Sequence, residues 1–350
     1  MKEVAGVMQT GDMIQKITIK NLGTIDNMSF DKFQNMNLII GENGTGKTFL
    51  LKALYTAMKT VEDYRRGDDV RSSADILAER LRWCFQTEKL GDIVKKGTDE
   101  PLVFEMVRNN KTFSFSFTES SAVKVSNVVN EIMPLASNSI YIPAKEVLSL
   151  YNIILKSREV DRLFGFDDTY YDLVKALRIA PQRGRNYDIF AKSRALLKDI
   201  IGGRVDYDDV ANKWYYKKGN QKFSIGVASE GVKKIAILDR LLGNGYLTRS
   251  SVIFIDELES ALHPTAISDF LDIIDMIAFD MGIQVFIASH SYFVIKKLYL
   301  NALKRRRSIP CISMLNGSVG YFDLLDGMPE NAIINESVRL YEEELEEVLS

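Results

Sequence analysis

Met36-Asn37-Leu38-Ile39-Ile40 runs without a break into Gly41-Glu42-Asn43-Gly44-Thr45-Gly46-Lys47-Thr48 and on into Phe49-Leu50-Leu51-Lys52-Ala53-Leu54-Tyr55. The first segment is a largely apolar run of strand length, and the last has helical spacing and good helix formers. The glycines therefore fall at a strand-to-helix turn. Backbone N–H groups of such a turn point inward as an anion nest, and the free N–H groups of the helix's first turn add a positive end. Gly44 and Gly46 allow backbone angles that a side chain forbids. Lys47 is placed to reach β and γ phosphates, and Thr48 to offer its hydroxyl to magnesium. This is the Walker A pattern, with Glu42, Asn43, Gly44, Thr45, Gly46, Lys47 and Thr48 as candidate positions for binding ATP.

A second strand, Val252-Ile253-Phe254-Ile255, ends in two carboxylates, Asp256-Glu257. An apolar strand closing on two acids is the Walker B arrangement. Asp256 is the expected magnesium ligand beside Thr48. Glu257 is the candidate that accepts a proton from, or orients, the water attacking the γ phosphate. Only two histidines occur, His263 and His290. His290 follows the apolar run Ile283–Ala288 in Ser289-His290-Ser291, at a strand end where it can reach the γ phosphate. It is the second catalytic candidate. His263 lies in Leu258-Glu259-Ser260-Ala261-Leu262-His263-Pro264, where it either joins the site or steadies the turn before Pro264. In Ala228-Ser229-Glu230-Gly231-Val232, Ser229 reads as the N-cap of a helix. The same helix N-terminus is also an anion site, offering a hydroxyl and backbone N–H groups to a phosphate.

Around these motifs, 350 residues allow one large domain or a domain with an inserted lobe. Apolar residues make up 46% and charged residues 26%, ordinary for a globular protein, and a net charge of −2 gives no global field for nucleic acid or membrane. Cys84 and Cys311 have no paired framework and read as small hydrophobes in a reducing interior. No signal-peptide run opens the chain and no apolar stretch reaches a membrane span, so a cytoplasmic location is expected. The first ten or so residues read as a loose end, with Met13 a possible start. Further expectations are a strand over Ile14–Ile19, a loop over 61–75 and a helix over 74–90. A hairpin is expected at Leu102–Val107 and Thr112–Phe117, then a strand at Ser139–Pro143 and polar helical structure from about 146 to 205. A second hairpin, Tyr215–Ile225, turns at Gly219-Asn220; a helix over Ala228–Leu242 and an acidic helix over Glu336–Leu349 complete the list.

Taken in order, GENGTGKT at 41, ASEG at 228, VIFIDE at 252, LESALHP at 258 and ASHS at 288 resemble the Walker A, signature, Walker B, D-loop and switch-histidine motifs of ABC-type ATPases. Ser229 precedes Asp256 by 27 residues, and Asp256 precedes His290 by 34, which fits. The LHP run, the SHS ending and the opening Ile17-Thr18-Ile19-Lys20-Asn21-Leu22-Gly23 are similar to the SMC-like and OLD-like branch. The resemblance implies an α/β P-loop NTPase core with a mixed sheet, an antiparallel β subdomain and an inserted helical lobe. Residues 1–145 would hold the Walker A half, 146–227 the helical and hairpin insertion, and 228–335 the signature, Walker B, D-loop and switch histidine; 336–350 would be the acidic helix. It further implies that two copies sandwich two ATPs head to tail, with Mg2+, so that Ser229 and Gly231 bind the nucleotide held by the other copy. The signature departs from LSGGQ at Ala228, Glu230 and Val232, which leaves the role of Glu230 open. The Q-loop has two candidates, Gln86 and the turn Pro143-Ala144-Lys145-Glu146.

No long coiled coil interrupts the chain, and the 60 residues after His290 lack the spaced acids of a Toprim nuclease. By resemblance, an ATPase that gates or senses for a separate effector, a nuclease or toxin in bacterial anti-phage defence, is the implied function. The alternative is an ATP-dependent DNA-binding or repair clamp with negligible turnover. Residues 171–204 add a nucleic-acid hypothesis: Lys175, Arg178, Arg183, Arg185, Lys192, Arg194, Lys198 and Arg204 stand against three acids. A solvated face, or a surface for an acidic partner, explains them equally.

Overall fold

A computed structural model describes residues 12–180, 188–260, 262–315 and 318–349. The expected loose N-terminal end, Arg183, Arg185 and Ala261 lie outside the described residues. The chain opens with β1 (Ile14–Leu22), β2 (Ile25–Phe30) and β3 (Met36–Gly41), then α1 (Lys47–Asp63) and α2 (Ser73–Phe85). Next come β4 (Leu102–Arg108), β5 (Lys111–Phe117), β6 (Ser126–Asn130) and β7 (Ile140–Ile142). Helices α3 (Tyr151–Leu155), α4 (Asp168–Arg178) and α5 (Asp188–Ile201) precede β8 (Arg204–Asp208), β9 (Lys213–Lys218) and β10 (Gln221–Ser224). The remainder alternates: α6 (Glu230–Gly243), β11 (Val252–Asp256), α7 (Pro264–Met281), β12 (Gln284–Ser289), α8 (Tyr292–Arg305), β13 (Pro310–Leu315), β14 (Ser318–Asp323) and α9 (Ala332–Leu349).

The central sheet has the order β14-β13-β3-β12-β11-β7, parallel except for the edge strand β14. Every residue of β3, β11 and β12 is buried. Parallel strands covered on both faces must be apolar on both, and alternation then sorts them into two cores. Leu38, Ile40, Ile253, Ile255, Val285 and Ile287 face a helical layer drawn from α4 to α8. Ile39, Phe254, Phe286 and Ile312 face α1, α2 and the antiparallel sheet β2-β1-β4-β5-β6. Because β3, β12 and β11 are parallel neighbours, Gly41, Ser289 and Asp256 emerge at one edge of the sheet.

Both expected hairpins form. Asn109 and Asn110 take φ of 51° and 57°, the paired positive angles of a type I′ turn joining Arg108 to Lys111. Gly219-Asn220 joins Lys218 to Gln221. Two expectations need correction. The helix over 74–90 stops at Phe85, because Gln86 turns left-handed at φ 52°. The segment around 204 is strand rather than helix: β8 alternates and pairs with β9, making a three-stranded sheet β10-β9-β8. Cys84 and Cys311 are buried thiols, as small hydrophobes should be.

Candidate functional site

The phosphate loop caps α1 without a side chain. Gly46, the N-cap, has φ 99°, and a Cβ there would meet the Thr24 hydroxyl at 2.7 Å. Gly44, at φ 81°, faces open space, with nothing within 4 Å of a built Cβ. Glu42 and Asn43 are exposed on the crest, and Thr45 closes the turn by donating its hydroxyl to the Glu42 carbonyl at 2.9 Å. Lys47 is only 5% exposed and donates from Nζ to the carbonyls of Gly41 and Glu42, each at 2.7 Å. Burial lowers its pKa, opposed by the carboxylates of Glu257, Asp256, Glu259 and Glu42. The lysine thus lies along the loop, next to the four acids whose field it shares.

Thr48 and Asp256 are brought together. The Thr48 hydroxyl donates to Asp256 Oδ2 at 3.0 Å, and the buried Tyr141 hydroxyl donates to the same oxygen at 2.9 Å. Asp256 Oδ1 is buried and has no hydrogen-bond partner. Burial raises the Asp256 pKa, while the bonds from Tyr141 and Thr48 oppose it. A buried carboxylate oxygen left without a donor is costly, and it fits a divalent cation: Thr48 and Asp256 are the hard oxygen donors that Mg2+ prefers.

Glu257 leaves the strand at φ 44°, a conformation that glutamate rarely takes. Its N–H donates to the Ala288 carbonyl at 3.0 Å, tying it to the end of β12. His290 follows that strand, with Nδ1 3.9 Å from Glu257 Oε1 and 3.5 Å from Glu259 Oε1. Glu259 arranges this corner. Its Oε1 accepts from the Ser289 hydroxyl at 2.8 Å and from the His290 N–H at 3.0 Å. His263 is the N-cap of α7, its Nδ1 accepting from the Thr265 N–H at 3.3 Å, with Pro264 in the first turn.

Ser229 caps α6, its hydroxyl accepting from the Val232 N–H at 3.3 Å, and Glu230 pairs with Lys233 at 2.7 Å. Among the described residues no hydrogen bond joins Ser229 or Gly231 to the phosphate loop of the same chain. Gln86 donates its amide to the Phe164 carbonyl. The turn Pro143–Glu146 lines a small pocket together with Glu230, Lys233, Lys234 and Ser260. The contacts of Tyr141 with Asp256 and of Lys234 with the Glu257 carbonyl were not legible in the sequence. Tyr141 reaches Asp256 because β7 pairs with β11 across more than a hundred residues of sequence, and no local pattern announces that.

One protein-family model, described as "AAA domain, putative AbiEii toxin, Type IV TA system", matches residues 36–296, from the start of β3 into α8. The chain belongs to this family. The AAA domain match takes in the phosphate loop, α6, β11 and β12 together. An "ATP/GTP phosphatase" of Helicobacter pylori (strain ATCC 700392 / 26695) is 26% identical over 132 residues, which is 36% of this chain and 34% of that protein, so the match spans about a third of that relative's length. The SMC head bound to the C-winged helix domain of ScpA is similar in fold, with TM-score 0.54 and 11% identity over 89% of this chain and 97% of that one. An SMC head domain from Thermotoga maritima aligns over 89% of this chain and 98% of its own, with TM-score 0.46 and 14% identity. In fold this AAA domain protein is similar to the SMC head.

Proposed function

We propose that the chain binds ATP with Mg2+ between two copies of itself, hydrolyses it, and thereby gates a separate effector in anti-phage defence. The observation that carries this is the junction of Thr48, Asp256 and Tyr141 on one carboxylate oxygen, with the other oxygen unpartnered, one residue from Glu257. Thr48 and Asp256 would hold Mg2+, which supplies positive charge against the β and γ phosphates. The loop N–H groups and Lys47 bind those phosphates. Glu257 takes the proton from the attacking water as the new O–P bond forms, and the bridging O–P bond breaks to release ADP. His290, held by Glu259, donates to the γ phosphate. Ser229 and Gly231, which among the described residues make no hydrogen bond to the phosphate loop of their own chain, act on the nucleotide of the second copy.

Glu257→Gln should lower ATP turnover by roughly 10²–10⁴-fold while ATP still binds and the ATP-bound dimer accumulates on gel filtration. Turnover equal to the parent would remove Glu257 as the base. Negligible turnover in the parent itself would favour the ATP-dependent clamp.

A separate effector is supported by α9. None of its residues is buried, and Val338, Tyr341, Leu345 and Val348 are exposed at helical spacing. Nucleic acid is a second reading, supported by Arg178, Lys192 and Lys198, which are exposed on α4 and α5. Other basic residues of this region are committed: Arg194 pairs with Asp239 at 2.7 Å, and Arg204 with Asp206 at 3.0 Å. If these exposed residues track a phosphate backbone, DNA affinity should fall steeply with added salt; salt-independent binding would exclude them.

A further inference from the structure

Lys234 is not needed by any step described so far, yet it is one of the most constrained cations in the molecule. It lies one turn into α6, just past Ser229 and Gly231, and is 7% exposed. Its Nζ donates to the Glu257 carbonyl at 2.8 Å and to the Leu258 carbonyl at 3.4 Å. Among the described residues these are the only hydrogen bonds that join α6 to the segment following β11. Burial pulls the Lys234 pKa down to about 8, opposed by Glu259, Asp256 and Glu257. Burying an ammonium is costly unless it is hydrogen-bonded, and here two main-chain carbonyls accept from it.

Glu257 needs outside support. At φ 44° its backbone is strained, and such angles persist only where the surroundings over-determine them. Three bonds do so here. The N–H is held by Ala288 at the end of β12, and the carbonyl accepts both from the Ser260 N–H at 3.0 Å, within the same turn, and from Lys234 on α6 at 2.8 Å. The backbone of Glu257 is therefore held jointly by the strand that leads to His290, by its own turn to Ser260, and by the helix that Ser229 caps, and Lys234 is the one of these contacts that comes from α6.

We infer that Lys234 is a positioning residue that couples the two nucleotide sites: when Ser229 and Gly231 engage ATP held by the second copy, α6 shifts, and Lys234 passes that shift to the backbone of Glu257. Binding at one site then sets the base at the other. The coupling rests on the head-to-tail reading above. Its physical scale is adequate. A hydrogen bond of 2.8 Å is lost within about 1 Å of travel, and misplacing a reacting group by about 1 Å can cost on the order of 10² in rate.

The test uses the full-length protein as Lys234→Met, Lys234→Arg and Glu257→Gln, with steady-state turnover, equilibrium binding of a fluorescent ATP analogue and thermal melting measured on each. Lys234→Met should lower kcat by about 10–100-fold while nucleotide affinity stays within about twofold of the parent. Lys234→Arg, which keeps a buried donor within reach of the two carbonyls, should recover part of kcat; it also serves if the methionine variant fails to fold. An unchanged kcat in Lys234→Met, beside a Glu257→Gln variant that is inactive, overturns the coupling and leaves the base assignment standing. A kcat, affinity and melting temperature that fall together without recovery by arginine assign Lys234 to stability alone and also overturn it. Glu257→Gln turnover equal to the parent overturns the base assignment, and the coupling with it.

Discussion

Asp168 accepts from Arg80 at 3.1 Å and from Arg158, yet its burial, together with the charge of the neighbouring Asp172, outweighs both guanidinium groups and pushes its pKa up to about 7. Asp172, which shares Arg80 at 2.6 Å and accepts from Tyr55, is held below the usual carboxylate range. The sign for Asp168 follows from linkage. Folded Asp168 keeps a proton that the unfolded chain releases, so its contribution to stability falls as pH rises from 3.8 to about 7. Asp168→Asn should flatten the slope of the urea midpoint across that window; an unaltered slope would mean that another acid dominates it. None of this was legible in the sequence. Arg80 and Asp168 are 88 positions apart, and nothing local marks either as buried. That Lys47, Thr48, Asp256, Glu257 and His290 lie close together was legible for the opposite reason. Each sits in a short motif whose spacing is dictated by the strand end that carries it, so identity and position could be read together. Tyr141 falls between: a tyrosine in a buried strand must find a partner for its hydroxyl, but only the pairing of β7 with β11 shows that the partner is Asp256.

Among the elements, β3, α1, β11 and β12 could be read because a parallel strand buried on both faces is a continuous apolar run with a glycine or an acid at its end. The Asn109-Asn110 hairpin could be read from alternation. Elsewhere the pattern misled. Arg204-Val205-Asp206-Tyr207-Asp208 follows directly on a helix and is rich in charge, yet as β8 it pairs Asp206 with both Arg204 and Lys217, so its charges stabilise a small exposed sheet. The acidic helix α9 was expected and is present, starting one turn earlier at Ala332. Its energetics are unlike those of α6 or α7, since none of its residues is buried. Replacing Tyr341 and Leu345 with serine should therefore move the melting temperature very little, within the roughly ±0.5 kcal/mol usual for surface changes. If α9 serves the effector, the same double variant should lose the partner in a pull-down from native cells. A large drop in melting temperature would show instead that α9 belongs to the fold.

At the scale of the whole molecule, the central sheet separates two cores and delivers Gly41, Asp256 and Ser289 to one edge, while Ser229 caps a helix whose bonds to that edge run through Lys234. On the proposed head-to-tail arrangement, a complete site requires a surface that the chain does not fold onto itself, and two-fold symmetry would supply it twice. This gives a quantitative expectation. Lys47→Ala removes the phosphate loop of its own chain, and Ser229→Arg blocks the helix end offered to the other chain. Each variant alone leaves no intact site in its homodimer. In an equal mixture about half of the dimers are mixed, and each mixed dimer has one site built from the intact Lys47 of one chain and the intact Ser229 of the other. Turnover should return to at most about a quarter of the parent value. The coupling through Lys234 pushes it lower still, because the Glu257 of the restored site belongs to the chain whose own α6 is blocked. Measured against the fraction of mixed dimers, recovery of some turnover from two inactive proteins can arise only if Ser229 acts across the interface. A mixture as inactive as its components, with mixed dimers demonstrably formed, would return Ser229 to the role of a helix cap.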